Sequence, residues 1–349
     1  MTEGANSPTS QLDPAVLDGI IPKSERVISI EKHDTSSWAV VARINVKTTD
    51  DSPRAYFLKV CYHFVTLNLE VRGDSEIFLH QVLATGDAAE RVLGEYVAMN
   101  EIYQTLPDFA PKPRGYGKCQ NQEAHFFICD FLTISHNLPD PVHLGKKLAE
   151  LHHKSQSPTG KFGFHCTTFD GKLPLNTTWD SNWTSFFTKL MRDVYQLDVE
   201  INGFWKELDD AMQITLERLI PRLLHPFTAD GRSIKPCLIH GDLWESNIGT
   251  EPTTGEIYIY DACAYYAHHE KEVGIWRCEH HLMKNEVYRK EYFRNYEPSE
   301  PIEEADDRNR LYSVETLLIN SAHFPGSQTR QRAVDELLYL INRFPGDSL

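Results

Sequence analysis

The sequence predicts an α+β chain of two lobes, the first rich in β-strand and the second mainly helical. Three observations predict this. Before residue 132, most segments are short runs of β-branched and aromatic residues. After it, apolar residues recur at i, i+3 and i+4. Within the helical part lies one β-like interruption, residues 237–261. A chain of 349 residues with 41% hydrophobic content can bury a core in each lobe.

Residues 1–20 read as a disordered tail, 21–129 as the N-terminal lobe and 130–349 as the C-terminal lobe. From Val27, "RVISIEKHDTSSWAVVARINV" reads as two strands around a polar turn at His33 to Ser37, and "AYFLKV" (55–60) as a third. The interval 68–87 is ambiguous. "AAERVLGEYVAMNEIYQTL" carries Val92, Tyr96, Met99, Ile102, Tyr103 and Leu106 at helical spacing and stops before Pro107. "PKPRGYG" reads as a loop and "HFFICDFL" (125–132) as a strand. Helices are then expected over "DPVHLGKKLAELHHKS", "WTSFFTKLMRDVY", "FWKELDDAMQITLERLIPRLL", "VETLLINSAHF" and "AVDELLYLINRF". The interruption reads as a strand, a loop, a "TTG" turn and a second strand ending at Asp261.

Fifty acidic residues against 35 basic ones give a net charge of -15. Phosphate backbones need Lys and Arg to neutralise them, so this surface disfavours nucleic acid as a partner. No apolar run approaches the roughly 20 residues of a membrane helix, and no membrane partner is expected. The first residues lack the basic and apolar regions of a signal peptide. Seven dispersed cysteines without a CxxC pair read as reduced thiols, which suggests a cytoplasmic protein. The sequons at Asn176 and Asn182 then read as chance matches. His pairs at 152–153, 268–269 and 280–281 lack Cys partners at zinc spacing, so no zinc site is expected.

The chemistry concentrates in "LIHGDLWESNIG". Phosphoryl transfer from ATP requires a Lys on the phosphates, bound metal and a carboxylate beside the attacking hydroxyl. The run His240-Gly241-Asp242-Leu243-Trp244-Glu245-Ser246-Asn247 keeps the Asp-to-Asn interval of the kinase catalytic loop H-R-D-L-x-x-x-N. Asp242 is placed to accept a hydroxyl proton. Asn247 can offer a carbonyl oxygen to Mg²⁺, a cation that takes oxygen ligands. Asp261 supplies a second oxygen ligand at the end of "EIYIYD", and a hairpin would bring it beside the Asp242 loop. Lys59 interrupts an apolar strand, as the phosphate-binding Lys of V-A-I-K does. Its helix partner would be Glu95 or Glu101, with Glu95 preferred. Position alone puts Cys129, Asp130 and Leu132 at the hinge between lobes, where backbone groups could meet adenine.

"HGDLWxxN", "KFGFH" (161–165) with the Trp179, Asn182, Trp183, Phe186, Phe187 run that follows, and "IYD" together resemble the fructosamine kinase (ketosamine-3-kinase) family. Asp261, Tyr266 and Glu270 keep the frame of its D-P-A-x-x-Y-G-x-x-E motif, with Ala262 for Pro and Ala267 for Gly. The resemblance spans most of the chain after Val27 and implies the bilobal protein-kinase-like fold, with a fungal origin. It also implies ATP- and Mg²⁺-dependent phosphorylation of the sugar 3-hydroxyl of ribulosamine or fructosamine adducts, on free amines or glycated proteins. The 3-phosphate is then unstable and the amine is freed. The implied roles are Asp242 as base, Asn247 and Asp261 as metal ligands, and Lys59 with Glu95 as ATP anchors. Trp244, His240, Tyr266 and Glu270 are assigned to the acceptor. In place of a Gly-rich phosphate loop stands "HDTSS", where Thr35, Ser36 and Ser37 offer amides and hydroxyls.

Three readings stay open on the sequence. One is a ketosamine kinase, favoured by Trp244 and "KFGFH". Another is a kinase for a different small hydroxyl substrate, such as an aminoglycoside or amino alcohol. The third is a kinase-fold binding protein without catalysis, which the Gly-free turn would suit.

Overall fold

A computed structural model describes residues 12–35, 39–62, 88–227 and 233–345. Ser36 and Ser37 lie outside the described residues, and so do the side chains of 33–35.

The N-terminal lobe is one antiparallel sheet built from β1 (Arg26–Thr35), β2 (Val40–Lys47), β3 (Pro53–Tyr62), β4 (Pro113–Lys118) and β5 (Ala124–Asp130), in the order β1-β2-β3-β5-β4. Alternation along β3 divides its side chains between two faces. Tyr56, Leu58 and Val60 join one core cluster with Ile44, Val46, Phe126 and Ile128. Phe57 and Cys61 face the other way, toward a cluster that continues into the C-terminal lobe.

Two sequence expectations fail in this lobe. The segment 1–20, expected to be a disordered tail, includes α1 (Pro14–Gly19), which packs on the sheet through Val16. Asp13 caps that helix and also accepts the N–H groups of Gln120 and Asn121. The predicted loop "PKPRGYG" contains β4. Its Pro and Gly suit an edge strand, which bonds on one side only. A Cβ on Gly115 would fall 2.3 Å from the tip of Ile20, so the glycine leaves room for the segment after α1.

Between β3 and β4 lies α2 (Ala88–Thr105), whose Met99 and Ile102 are buried. The C-terminal lobe comprises α3 (Pro141–Lys154), β6 (Thr168–Asp170), β7 (Leu173–Leu175), α4 (Trp183–Asn202), α5 (Lys206–Ile214) and α6 (Ile220–Leu224). A single π-turn, Thr215–Leu219, joins α5 to α6. Then follow β8 (Cys237–Ile239), β9 (Ile248–Thr250), β10 (Ile257–Ile259) and β11 (Tyr265–Ala267). The chain ends in α7 (Glu286–Asn295), α8 (Ala305–His323) and α9 (Thr329–Arg343). Each predicted helix is present.

The β interruption is wired differently from expectation. β10 pairs with β9, while β8 pairs with β11. The hairpin therefore lies after the Asp242 loop, and Asp261 sits in the crossing between β10 and β11. The loop 240–247 and residue 261 are brought together because both are flanked by paired strands.

Candidate active site

Strand β8 is fully buried and ends where the polar loop begins. Gly241 turns the chain there at φ 88°. Its missing Cβ is required twice over, since a Cβ would lie 2.7 Å from the Cys263 carbonyl oxygen and 2.8 Å from its Sγ. Trp276 Nε1 donates to the Leu243 carbonyl at 2.7 Å and fixes the next residue. At the far end, Asn247 Nδ2 donates to the Asp242 carbonyl (2.9 Å) and to Asp242 Oδ2 (3.0 Å). The side-chain amide hydrogens of Asn247 are thus spent on Asp242, and its carbonyl oxygen is the atom left for a cation.

Burial raises the Asp242 carboxyl well above the usual range, and Asp170 and Asp261 raise it further. Asp170 ends β6, and its Oδ1 meets His323 Nε2 at 3.1 Å. A carboxylate raised in this way is a competent proton acceptor.

Lys59 stands between two carboxylates, with Nζ 2.8 Å from Glu95 Oε2 and 2.5 Å from Asp261 Oδ1. Burial alone would lower the ammonium, but Asp261 and Glu95 overcome this and hold it charged. Burial pushes Glu95 up to about 7 against the pull of Lys59. Partial desolvation at the cleft wall would raise Asp261, yet Lys59 brings it below the ordinary carboxylate range. Asp261 adopts φ 63°, an uncommon conformation for a residue other than Gly. Its side chain is 51% exposed, so it is open to a ligand from the cleft. The Asn247 carbonyl oxygen and the Asp261 carboxylate are hard oxygen donors, a set that fits Mg²⁺.

The remaining predicted residues fall into distinct environments. Leu132 is partly buried in the segment between the lobes. Cys129 is buried in the core, and Asp130 forms a bidentate pair with Arg114 at 2.6 and 2.7 Å. Neither side chain is free for a nucleotide. Trp244 is partly buried, with its ring 5.6 Å from that of His281.

Three residues assigned to the acceptor have other occupations. The His240 ring is fully buried; Nε2 meets the Tyr260 carbonyl at 2.9 Å, and Nδ1 accepts the Asp242 N–H at 3.3 Å. It braces the loop from beneath. Glu270 is fully buried in a bidentate pair with Arg308, both bonds 2.8 Å. Tyr266 is buried and donates its hydroxyl to Glu101 Oε1 at 2.6 Å. The motif frame placed these residues near the site, but burial withdraws them from a substrate.

Sequence reasoning missed Glu272, whose two oxygens accept the N–H groups of His240 and Gly241. It also missed Asp170. The sequence held no local signal for either, since both act across more than 30 residues.

Apart from Asn247 and Asp261, three neighbouring His and Glu side chains among the described residues, His268, His269 and Glu270, lie close enough together to hold an ion. His268 bonds Tyr312 and Ser299 through its two ring nitrogens, His269 Nδ1 bonds Tyr292, and Glu270 pairs with Arg308. All seven cysteines are free thiols. No described helix is long and apolar enough to cross a membrane.

Residues 68–340 match the sequence model of a family described as fructosamine kinase. A rice (Oryza sativa subsp. japonica) protein named protein-ribulosamine 3-kinase, chloroplastic, is 34% identical over 185 residues, 53% of this chain and 52% of that protein. A mouse protein named ketosamine-3-kinase is 27% identical over 218 residues, 56% of this chain and 67% of that one. The chain spans about half the length of the plant relatives it matches. Among solved structures, a thermostable mutant of aminoglycoside phosphotransferase APH(4)-Ia, in ternary complex with AMP-PNP and hygromycin B, superposes with a TM-score of 0.58. That match covers 92% of this chain and 96% of the other at 13% identity, and it shows the protein-kinase-like fold alone.

Proposed function

The chain belongs to the fructosamine kinase family, and from that premise we propose that it is an ATP-dependent ketosamine 3-kinase. Its acceptors would be ribulosamine or fructosamine adducts of free amines or of proteins. The observation that carries this reading is the polar cluster where the lobes meet. Lys59 is held between Glu95 and Asp261, and Asn247 clasps Asp242 in the adjoining loop.

In this reading Asp242 accepts the proton of the sugar 3-hydroxyl as its oxygen attacks the γ-phosphorus of ATP, and ADP leaves. Lys59, fixed by Glu95, steadies the phosphates. Asn247 and Asp261 would hold Mg²⁺, which neutralises charge on the phosphate oxygens when bound. Trp244, the one acceptor-side residue left partly open, offers a flat apolar face to the sugar or its linker. The hinge at Leu132 would meet adenine through its backbone. Retention of all five polar groups disfavours a binding protein without catalysis.

The test is transfer itself. The protein is incubated with Mg-ATP and with ribulose-linked or fructose-linked lysine, and phosphorus NMR follows the sugar phosphate. Asp242→Asn is the control. Transfer to either adduct, lost in the variant while ATP still binds, is the expected result. An Asp242→Asn variant with wild-type turnover would sink the role of Asp242. No transfer to either adduct would exclude the acceptor class.

A further inference from the structure

Glu95 and Glu101 are both on α2, six residues or about 9 Å apart along its axis. Glu95 reaches β3 of the N-terminal lobe through Lys59. Glu101 reaches the opposite lobe. Its Oε1 accepts the Tyr266 hydroxyl at 2.6 Å, and its Oε2 pairs with His165 Nε2 at 2.8 Å.

These two partners belong to one structural unit. Gly163 and Tyr266 exchange backbone hydrogen bonds of 3.0 and 2.9 Å, which places His165 and the Tyr266 side chain side by side. Tyr266 is also the central residue of β11 and pairs with Leu238 of β8, the strand that leads into the Asp242 loop. Gly163 is required here: it holds φ 127°, and a Cβ would lie 2.7 Å from the Thr177 carbonyl oxygen. This accounts for the "KFGFH" run by a job other than substrate contact.

A second contact seats α2 on the same lobe. A Cβ on Gly94, beside Glu95, would fall 2.6 Å from the Thr167 carbonyl oxygen, so helix and strand approach at backbone distance. Helix α2 is therefore tied to the C-terminal lobe at both Gly94 and Glu101, and between these ties it carries the carboxylate that orients Lys59.

We propose that Glu101 is a positioning residue for the nucleotide: through Tyr266 and His165 it latches α2 to the C-terminal lobe and so keeps Glu95 on Lys59. The proposal rests on the phosphotransferase reading, and it adds a fixed mechanical path from the Asp242 loop to the phosphate-binding lysine. Nothing in it depends on which sugar is the acceptor.

Mg-ATP affinity, measured by calorimetry on the full chain, tests the latch without any acceptor. Glu101→Ala should weaken Mg-ATP by about tenfold, the size of one lost charge-assisted contact. Tyr266→Phe, which removes a single oxygen, and Glu101→Gln, which can still accept from Tyr266, should weaken it less. In turnover the KM for ATP should rise while the KM for the acceptor stays put. Glu270→Gln, destabilised elsewhere, serves as the stability control and should keep its ATP affinity when folded. Wild-type affinity in both Glu101→Ala and Tyr266→Phe would overturn the latch. So would a loss that merely tracks the unfolded fraction. A wild-type chain that does not bind Mg-ATP would overturn the latch and the kinase reading together. One that binds Mg-ATP but phosphorylates no ketosamine removes only the acceptor assignment, and the affinities still decide the latch.

Discussion

Glu272 accepts the backbone N–H groups of His240 (2.5 Å) and Gly241 (3.1 Å), one with each carboxylate oxygen. Both donors precede Asp242, so this buried carboxylate sets where the loop starts. Burial would raise it, but His152 at 3.5 Å and His240 hold it below the usual carboxylate range. Replacing Glu272 by Gln turns an amide NH₂ toward one of those N–H groups. The expected cost is about 2–4 kcal/mol of stability, from an unsatisfied buried donor and a lost charge. Turnover per folded molecule should also fall by about tenfold or more, because small displacements of a reacting group are costly. Denaturation curves and kcat on the same preparation check both.

Asp170 raises Asp242 through like-charge repulsion, after burial itself. In its proposed role as base, Asp242 must be ionised to accept a proton, so the acid limb of the kcat profile should lie above the range of an ordinary Asp. Asp170→Asn removes one repelling charge, and the limb should move to lower pH. An unmoved limb would separate Asp170 from the base.

Glu270 provides a contrast within the same motif frame. Its pair with Arg308 is fully buried, and it also accepts the Ser299 N–H at 2.7 Å. Glu270→Gln leaves a buried guanidinium short of charge, which costs about 3–5 kcal/mol. The KM for the acceptor should not change in the folded fraction. A raised acceptor KM without loss of stability would return Glu270 to the substrate site.

The difference between Asp242 and Glu272 explains what the sequence revealed. Lys59 interrupts and Asp261 ends an apolar strand-like run, Asp242 follows one closely, and Asn247 keeps a fixed interval from Asp242, so each carries a local signal. Helices α3, α4, α8 and α9 were legible for the same reason, since an apolar face repeats within a few residues. Strand β4 was not, because Pro113, Gly115 and Gly117 obey packing by Ile20 and Phe126 rather than strand preference. The pairing of β8 with β11 was not legible either, since the nearer β9–β10 hairpin competes for the same reading. Glu272, Asp170 and Glu101 act over long sequence separations, and Glu270 shows that a motif frame fixes position without fixing exposure.

The buried histidines make stability depend on pH. His268 and His269 are pushed well below the usual range, chiefly by burial, and His152 and His240 are lowered as well. When the folded state depresses a histidine, the unfolded chain binds the proton first. The stability these groups contribute is then complete above their unfolded value of about 6.5 and is lost as pH falls below it. For His268 and His269 the loss grows with each step of pH below about 6.5. Their ring nitrogens bond Tyr312, Ser299 and Tyr292, so protonation would also force these neutral partners to reorganise. Urea unfolding at intervals between pH 8 and 5 should show a steep decline beginning near 6.5, shallower in His268→Gln than in wild type. A flat profile would mean that these rings take up protons in the folded chain as readily as in water.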